Sequence, residues 1–167
     1  MQQTRTEFRV GQGMDIHPFA TGRDLYIGGV RIPHARGLKG HSDADVLLHA
    51  VIDALFGAAG LPDLGAHFPD SDARWKDVSS LELLRLAWQE VRAAGFKIVN
   101  LDCTLLAQEP KVAAFIPQMK TSLGEVLGVE TARIGIKATT AEGLGFVGRA
   151  EGVLASACVL LSCSCAA

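Results

Sequence analysis

Between Val153 and Leu161 the chain runs Val-Leu-Ala-Ser-Ala-Cys-Val-Leu-Leu without a single charge. On alternation, Val153, Ala155, Ala157, Val159 and Leu161 share one face, and Leu154, Cys158 and Leu160 the other. The run is far shorter than the ~18–20 residues that span a bilayer, so it reads as a strand that must be covered on both sides. Three helical patterns are available to cover it. The first begins at Ser42, where Asp45 completes an S-x-x-D capping box; its stripe is Leu48, Ile52, Leu55, Phe56 and Ala59, and Gly60 stops it. The second starts at Ser79 with Glu82 three residues on, presents Leu81, Leu84, Trp88 and Val91, and ends at Gly95. The third spans 111–127 and is interrupted at Pro117. Three such stripes cover one face of a four- or five-stranded sheet. The other face is left open, and an apolar patch of that extent marks an interface between chains.

Further strands are expected at 8–17, at 96–107, at 133–140 and at 152–162, with a hairpin at 25–32 turning on Gly28-Gly29. Residues 61–78, with Pro62, Pro69 and four aspartates, read as a polar loop. The fold class is therefore α+β (α/β in the broad sense). The expected architecture is a two-layer sandwich: a small mixed sheet, helices on one face, and ferredoxin-like strand–helix–strand crossovers. Composition limits what such a domain does. Apolar residues at 49% and charged ones at 20% exclude a disordered chain, and a net charge of −2 offers no basic footprint for nucleic acid. The opening MQQTRTEFRV lacks a secretory apolar core, and Cys103, Cys158, Cys163 and Cys165 form no C-x-x-C pair. Free thiols, no membrane segment and a cytoplasmic setting are expected.

Several residues carry chemistry. Asp15 and His17 are two apart on a strand, so both side chains leave one face. Alone, D-x-H fits either a cation site or a surface aspartate beside a half-buried histidine. His49, one turn after Asp45, sits beside the apolar stripe of the first helix. It is either a satisfied core histidine or a third ligand, with Asp45 holding its other ring nitrogen. Asp15, His17 and His49 together make an O, N, N set that Zn²⁺ accepts with a fourth position open. Gly143, Gly145 and Gly148 spell G-x-G-x-x-G, but too little chain follows for a dinucleotide-binding unit. Lys137, Thr139, Thr140 and Glu142 are a better phosphate set, two hydroxyls and an ammonium beside a carboxylate for Mg²⁺, or else an ordinary strand end.

Taken in order, RVGQGMDIHPF, IGGVRIPHARGLKGHSDADVLLHAVIDALFGAAGLPDLGAHFPDSD, AQEPK, IPQM and IKATTAEGLGFVGRAEG resemble the 2-C-methyl-D-erythritol 2,4-cyclodiphosphate synthase family of the non-mevalonate isoprenoid pathway. The H-S-D-A-D-V-x-x-H and K-A-T-T-x-E-x-L-G-F segments carry the resemblance, which covers residues 9–152. It implies a metal-dependent phosphorus–oxygen lyase. The 2-phosphate of 4-diphosphocytidyl-2-C-methyl-D-erythritol 2-phosphate attacks the β-phosphorus, CMP leaves, and the cyclodiphosphate closes. It implies zinc on Asp15, His17 and His49, one per subunit, and Mg²⁺ or Mn²⁺ on Glu142. His41 and Thr140 fall on positions that stabilise the transition state.

By the same likeness Ser42, Asp63, Leu64, Gly65, Phe68, Pro69, Asp70, Ser71 and Asp72 line the methylerythritol side. Ala107, Gln108, Glu109, Pro110, Lys111, Val112, Ala113, Thr139 and Ala141 line the cytidine diphosphate side, with Phe146 and Arg149 nearby. Ala141 replaces a hydroxyl residue common in relatives. The likeness implies a homotrimer whose sites lie between adjacent subunits, with Arg149 and Glu151 at one end of a central channel. Residues 8–162 form one catalytic domain on this reading, and 1–7 and 163–167, which match nothing, are expected to be disordered. Two rival classes remain, a zinc phosphodiesterase and a non-catalytic trimeric scaffold.

Overall fold

The computed structural model describes residues 4–166. Its longest elements are β1 (Thr4–Ala20) and β7 (Gly152–Ala166), paired antiparallel from Thr4↔Ala166 to Pro18↔Gly152. Between them the chain makes β2 (Leu25–Ile27) and β3 (Val30–Ile32), the hairpin on Gly28-Gly29, and the short β4 (Gly37–Leu38). Then come α1 (Val46–Ala59), the single-turn α2 (Leu64–His67), α3 (Ser80–Ala93) and β5 (Lys97–Leu106). The chain closes with α4 (Ile116–Leu127), β6 (Ile134–Thr139), the short α5 (Gly145–Gly148) and β7. The main sheet has the order β4-β1-β7-β5-β6 and is mixed, since β5 and β6 are parallel and the other neighbours antiparallel. β1 and β5 also run the same way with β7 inserted between them, which makes the first crossover a split one. Apart from the two-residue β4, the order of connections is β–α–β–α–β–β, not the expected ferredoxin-like β–α–β–β–α–β, because β6 and β7 follow each other without a helix of crossover length.

α1, α3 and α4 form the second layer. Val153, Ala155, Ala157, Val159 and Leu161 are buried beneath them, while Leu154, Cys158 and Leu160 lie on the opposite face of β7. Next to these, on β1, Phe8, Val10, Met14 and Ile16 are 59%, 68%, 55% and 47% exposed. The face foreseen as open is open. No helix among the described residues is long and apolar enough to cross a membrane.

Two glycines set how closely the layers approach. A Cβ on Gly11 would stand 1.9 Å from the carbonyl oxygen of Ala54, and one on Gly13 2.0 Å from that of Ala50. With Ala50, Ala54 and Ala58 facing them, α1 lies almost backbone to backbone on β1.

Four expectations are corrected. The chain ends are not loose between 4–7 and 163–166, where backbone pairing extends β1 and β7; residues 1–3 and 167 lie outside the described residues. Helix α1 starts four residues after Ser42, and Asp45 is itself the N-cap, accepting from Leu47 N and Leu48 N. Pro117 does not interrupt a helix. It stands in the first turn of α4, where its missing N–H costs nothing, after a 3₁₀ turn at Ala113–Phe115. The 61–78 loop is not without structure, because Asp63 caps α2 and Asp72 caps a 3₁₀ turn at Ala73–Trp75.

Candidate metal centre and phosphate cleft

Asp15 and His17 project from the last third of β1, and His49 reaches them from the first turn of α1, which the Gly11 and Gly13 contacts hold against that strand. Asp15 Oδ2 lies 2.9 Å from His17 Nε2 and 3.0 Å from His49 Nδ1, and the two ring nitrogens are 3.1 Å apart. Among the described residues these three are the one group of His, Cys, Asp and Glu side chains placed to share an ion. All are largely shielded, His49 being 8% exposed.

The remaining contacts fix what those atoms offer. His17 Nδ1 is 2.6 Å from the carbonyl oxygen of Lys39. A carbonyl only accepts, so Nδ1 carries a proton, and Nε2 is the nitrogen that faces the shared point. His49 Nε2 faces the hydroxyls of Ser80 at 3.0 Å and Ser42 at 3.1 Å, and leaves Nδ1 toward Asp15. Asp45 does not touch the ring, as the sequence reading had it. Its carboxylate accepts from Gly28 N, Gly29 N, Leu47 N and Leu48 N, tying the hairpin to the start of α1.

Burial opposes ionisation of Asp15, but hydrogen bonds and charge attraction from His17 and His49 outweigh it and hold the carboxyl well below the usual range. For His17 burial again acts first, against the charged form. The hydrogen bond and charge of Asp15, helped by the Lys39 carbonyl, prevail and raise its pKa. A metal that displaces the protons shared with Asp15 would meet one carboxylate oxygen and two ring nitrogens at one point. Tetrahedral zinc with bonds near 2.0–2.1 Å sets its ligand atoms about 3.3 Å apart. The three spacings here need to open by only a few tenths of an ångström, so the residues fit the ion.

The triad forms part of the wall of a cleft of about 380 Å³. Of the residues assigned to the methylerythritol side, Ser42, Leu64, Gly65, Phe68, Pro69 and Asp70 line it, and so does His41. Asp63, Ser71 and Asp72 are not part of that wall. Asp63 and Asp72 are occupied as caps, and Asp72 also pairs with Arg74 at 2.6 Å. His41 Nε2 donates weakly to the Asp72 carbonyl at 3.4 Å. Three contributors were not foreseen. Gly40, Trp75 and Leu83 complete the lining. Trp75, packed edge-on against Phe68 with ring centroids 5.0 Å apart, was visible as the one large aromatic side chain late in a polar loop. Arg23 was missed as well; it donates to the carbonyls of Gly40 (2.9 Å) and Ser42, bracing the segment that carries His41.

The second cluster stands apart. Ala107, Pro110, Lys111, Val112, Ala113, Thr139 and Thr140 line a recess of about 160 Å³ with Ala138, and none of these residues lines the cleft. Gln108 and Glu109 belong to the same stretch but not to its wall, and Glu109 pairs with Arg36 at 2.8 Å. Thr140 Oγ1 donates to Glu142, which is exposed and held at φ +51°. Ala141 and Phe146 are half-buried in the following turns, and Arg149 is paired twice with Glu151, at 2.7 and 3.2 Å.

A family model described as the YgbB family matches residues 8–162. A 2-C-methyl-D-erythritol 2,4-cyclodiphosphate synthase of Geobacillus thermodenitrificans is 56% identical over 154 residues, 92% of this chain and 96% of that protein. Among solved structures, a synthase of the same name in a form bound to CDP is 38% identical with a TM-score of 0.84, covering 92% of this chain and 99% of that one. The bifunctional IspDF of Campylobacter jejuni gives a TM-score of 0.92 at 43% identity. It covers 95% of this chain, which in turn spans 43% of that longer one.

Proposed function

This chain belongs to the YgbB family, and from that premise we propose that it converts 4-diphosphocytidyl-2-C-methyl-D-erythritol 2-phosphate to 2-C-methyl-D-erythritol 2,4-cyclodiphosphate and CMP. An oxygen of the 2-phosphate forms a new bond to the β-phosphorus. The bond from that phosphorus to the oxygen bridging it to the α-phosphate breaks, and CMP departs with the electron pair. No protein nucleophile is needed, so positioning and charge neutralisation carry the rate. The observation that carries this reading is the convergence of one carboxylate oxygen and two imidazole nitrogens within 2.9–3.1 Å at the wall of a cleft.

Asp15, His17 and His49 would hold one Zn²⁺ per chain, and Glu142 a Mg²⁺ or Mn²⁺. When bound, these ions supply Lewis-acid polarisation and neutralise phosphate charge. The chain's own residues do the rest. His41 and Thr140 donate to phosphate oxygens as charge develops. The Leu64–Asp70 stretch and Ser42 hold the methylerythritol and shield it from water, and Lys111 with the backbone of Ala107–Ala113 receives the nucleotide. Residues 8–162 act as one catalytic domain.

The assembly proposed is a cytoplasmic homotrimer with the open sheet faces around the axis. Two observations support it. Phe8, Val10, Met14 and Ile16 form an exposed apolar band beside Leu154 and Leu160, and three copies closing on a threefold axis would bury it. The cleft with the triad and the recess with Thr139 share no wall within one chain, so a substrate spanning both would use the recess of a neighbour. Arg149 and Glu151 would then stand at one end of the channel.

The test is incubation of the metal-supplemented protein with the cytidyl substrate, followed by ³¹P NMR. Cyclodiphosphate with equimolar CMP is expected. A ring-opened phosphate product would instead make the chain a hydrolase, and no turnover would make it a binding scaffold.

A further inference from the structure

His49 has a second partner system on the side away from the ion. Ser80 is fully buried at the first position of α3, and its hydroxyl lies 3.0 Å from His49 Nε2. Behind it, Asp43 takes both hydrogen-bonding groups of Ser80: Oδ1 accepts the hydroxyl proton, and Oδ2 accepts the backbone N–H at 3.0 Å. A hydroxyl has one proton to give. Ser80 has given it to a carboxylate, so its oxygen presents only lone pairs to His49. The His49–Ser80 contact is then a hydrogen bond only if Nε2 carries the ring proton. Ser42, 3.1 Å from the same nitrogen, accepts from Ala44 N and keeps a lone pair for His49, while its own proton can go to the Ser80 oxygen at 3.4 Å.

We propose that Asp43 and Ser80 are positioning residues for the metal centre: a carboxylate–hydroxyl relay that locks His49 in its Nε2–H tautomer, so that Nδ1 meets the ion as a free lone pair. The arrangement mirrors His17, whose opposite nitrogen is fixed by the Lys39 carbonyl. The two histidines thus bind through different ring atoms, each held by a partner that cannot be satisfied by the other tautomer. The relay also explains why Asp43 and Ser80 come from separate segments, the turn before α1 and the start of α3. Docking α3 completes the ligand set, although α3 supplies no ligand. Outer partners of this kind change metal affinity 10–100-fold when removed.

The inference rests on the zinc reading of Asp15, His17 and His49. It is tested by zinc affinity, measured by chelator competition at pH 7.5, in wild type, Ser80→Ala and Asp43→Asn. A parallel ¹H–¹⁵N long-range correlation spectrum of the histidine rings of the zinc-free proteins reads the tautomer. Wild type is expected to show a proton on His49 Nε2, whether or not Asp15 draws a second one onto Nδ1 in the absence of zinc. Asp43→Asn keeps its amide oxygen on the Ser80 backbone N–H and turns its NH2 toward the Ser80 oxygen, which frees the hydroxyl proton to point at His49 and shifts the ring toward Nδ1–H. Both variants should bind zinc 10–100-fold more weakly. Asp43→Asn preserves the volume and reports even if Ser80→Ala folds poorly. A ring tautomer unchanged in Asp43→Asn, or zinc affinity within twofold of wild type in the folded variants, overturns the relay and leaves the zinc reading standing. A wild type that takes up no zinc overturns both.

Discussion

The carboxylate of Asp45 accepts the backbone N–H of Gly29 at 2.7 Å, joining the hairpin turn to the first turn of α1 across sixteen residues of chain. The same side chain satisfies Gly28 N and two N–H groups of the helix, and it is completely buried. Replacing it with alanine removes a helix cap and strands buried donors in the turn. Asp45→Ala is therefore expected to cost about 3 kcal/mol, from about 1 for the cap and 1–3 for unsatisfied buried N–H groups. A shift in the urea midpoint at fixed protein concentration, with an unchanged slope, measures it. A loss below about 1 kcal/mol would mean that water or another acceptor replaces Asp45.

Gly13 and Gly57 make a paired prediction. A methyl at Gly13 meets the Ala50 carbonyl at 2.0 Å, and a helix backbone cannot step aside without moving His49. Gly13→Ala should cost roughly 3 kcal/mol or more and lower zinc content. Gly57, exposed on α1, has nothing closer than the Gln12 carbonyl at 3.8 Å. Gly57→Ala should gain about 0.5–1 kcal/mol from helix propensity alone. Thermal midpoints moving in the same direction for both would refute the close-approach argument.

The metal assignments separate by content and by titration. His49→Ala should lose zinc from the purified protein, because two ligands seldom hold it tightly, while the circular dichroism stays native. Glu142→Gln should retain zinc and turn over more slowly, with a rightward-shifted Mg²⁺ dependence. Wild-type zinc stoichiometry in the first variant, or overlapping Mg²⁺ curves in the second, would move these roles to other residues.

Cys103 gives a pH prediction. Burial, reinforced by the nearby Asp102 charge, pushes its thiol up to about 12. The thiolate is the reactive form, so at pH 8.5 Cys103 should resist iodoacetamide in the native protein and react once urea unfolds it. Peptide mapping reads this directly, and native labelling of Cys103 at the rate of the unfolded chain would contradict the burial.

The periodic parts of this fold were legible in the sequence. Alternation gave β1 and β7, the Gly28-Gly29 pair gave the hairpin, and 3.6-residue spacing gave α1 and α3. Asp15, His17 and His49 were legible too, since a strand period and a helix start define which faces they leave. Pro117 was misread because its effect depends on where the helix begins, which the preceding 3₁₀ turn decides. Asp45 was misread for a different reason: its partners Gly28 and Gly29 are tertiary neighbours with no signal in spacing. Arg23, Asp43 and Ser80 are ordinary residues in the sequence, and their importance comes from which carbonyls and hydroxyls the folded chain brings to them. The chain ends looked featureless one at a time, and only their pairing with each other orders them.

The central claim is that one catalytic site is built from the zinc side of one subunit and the nucleotide side of the next. Its most direct test is CMP release by mixed trimers, made by co-expressing differently tagged His49→Ala and Glu142→Gln chains and isolating species that carry both tags. Each parent alone should be nearly inactive. Every trimer that carries both tags has one interface of its three that pairs an intact zinc side with an intact neighbouring nucleotide side, so about a third of wild-type activity is expected to return. Activity no greater than the mean of the two parents, in trimers confirmed by mass, would contradict the shared site.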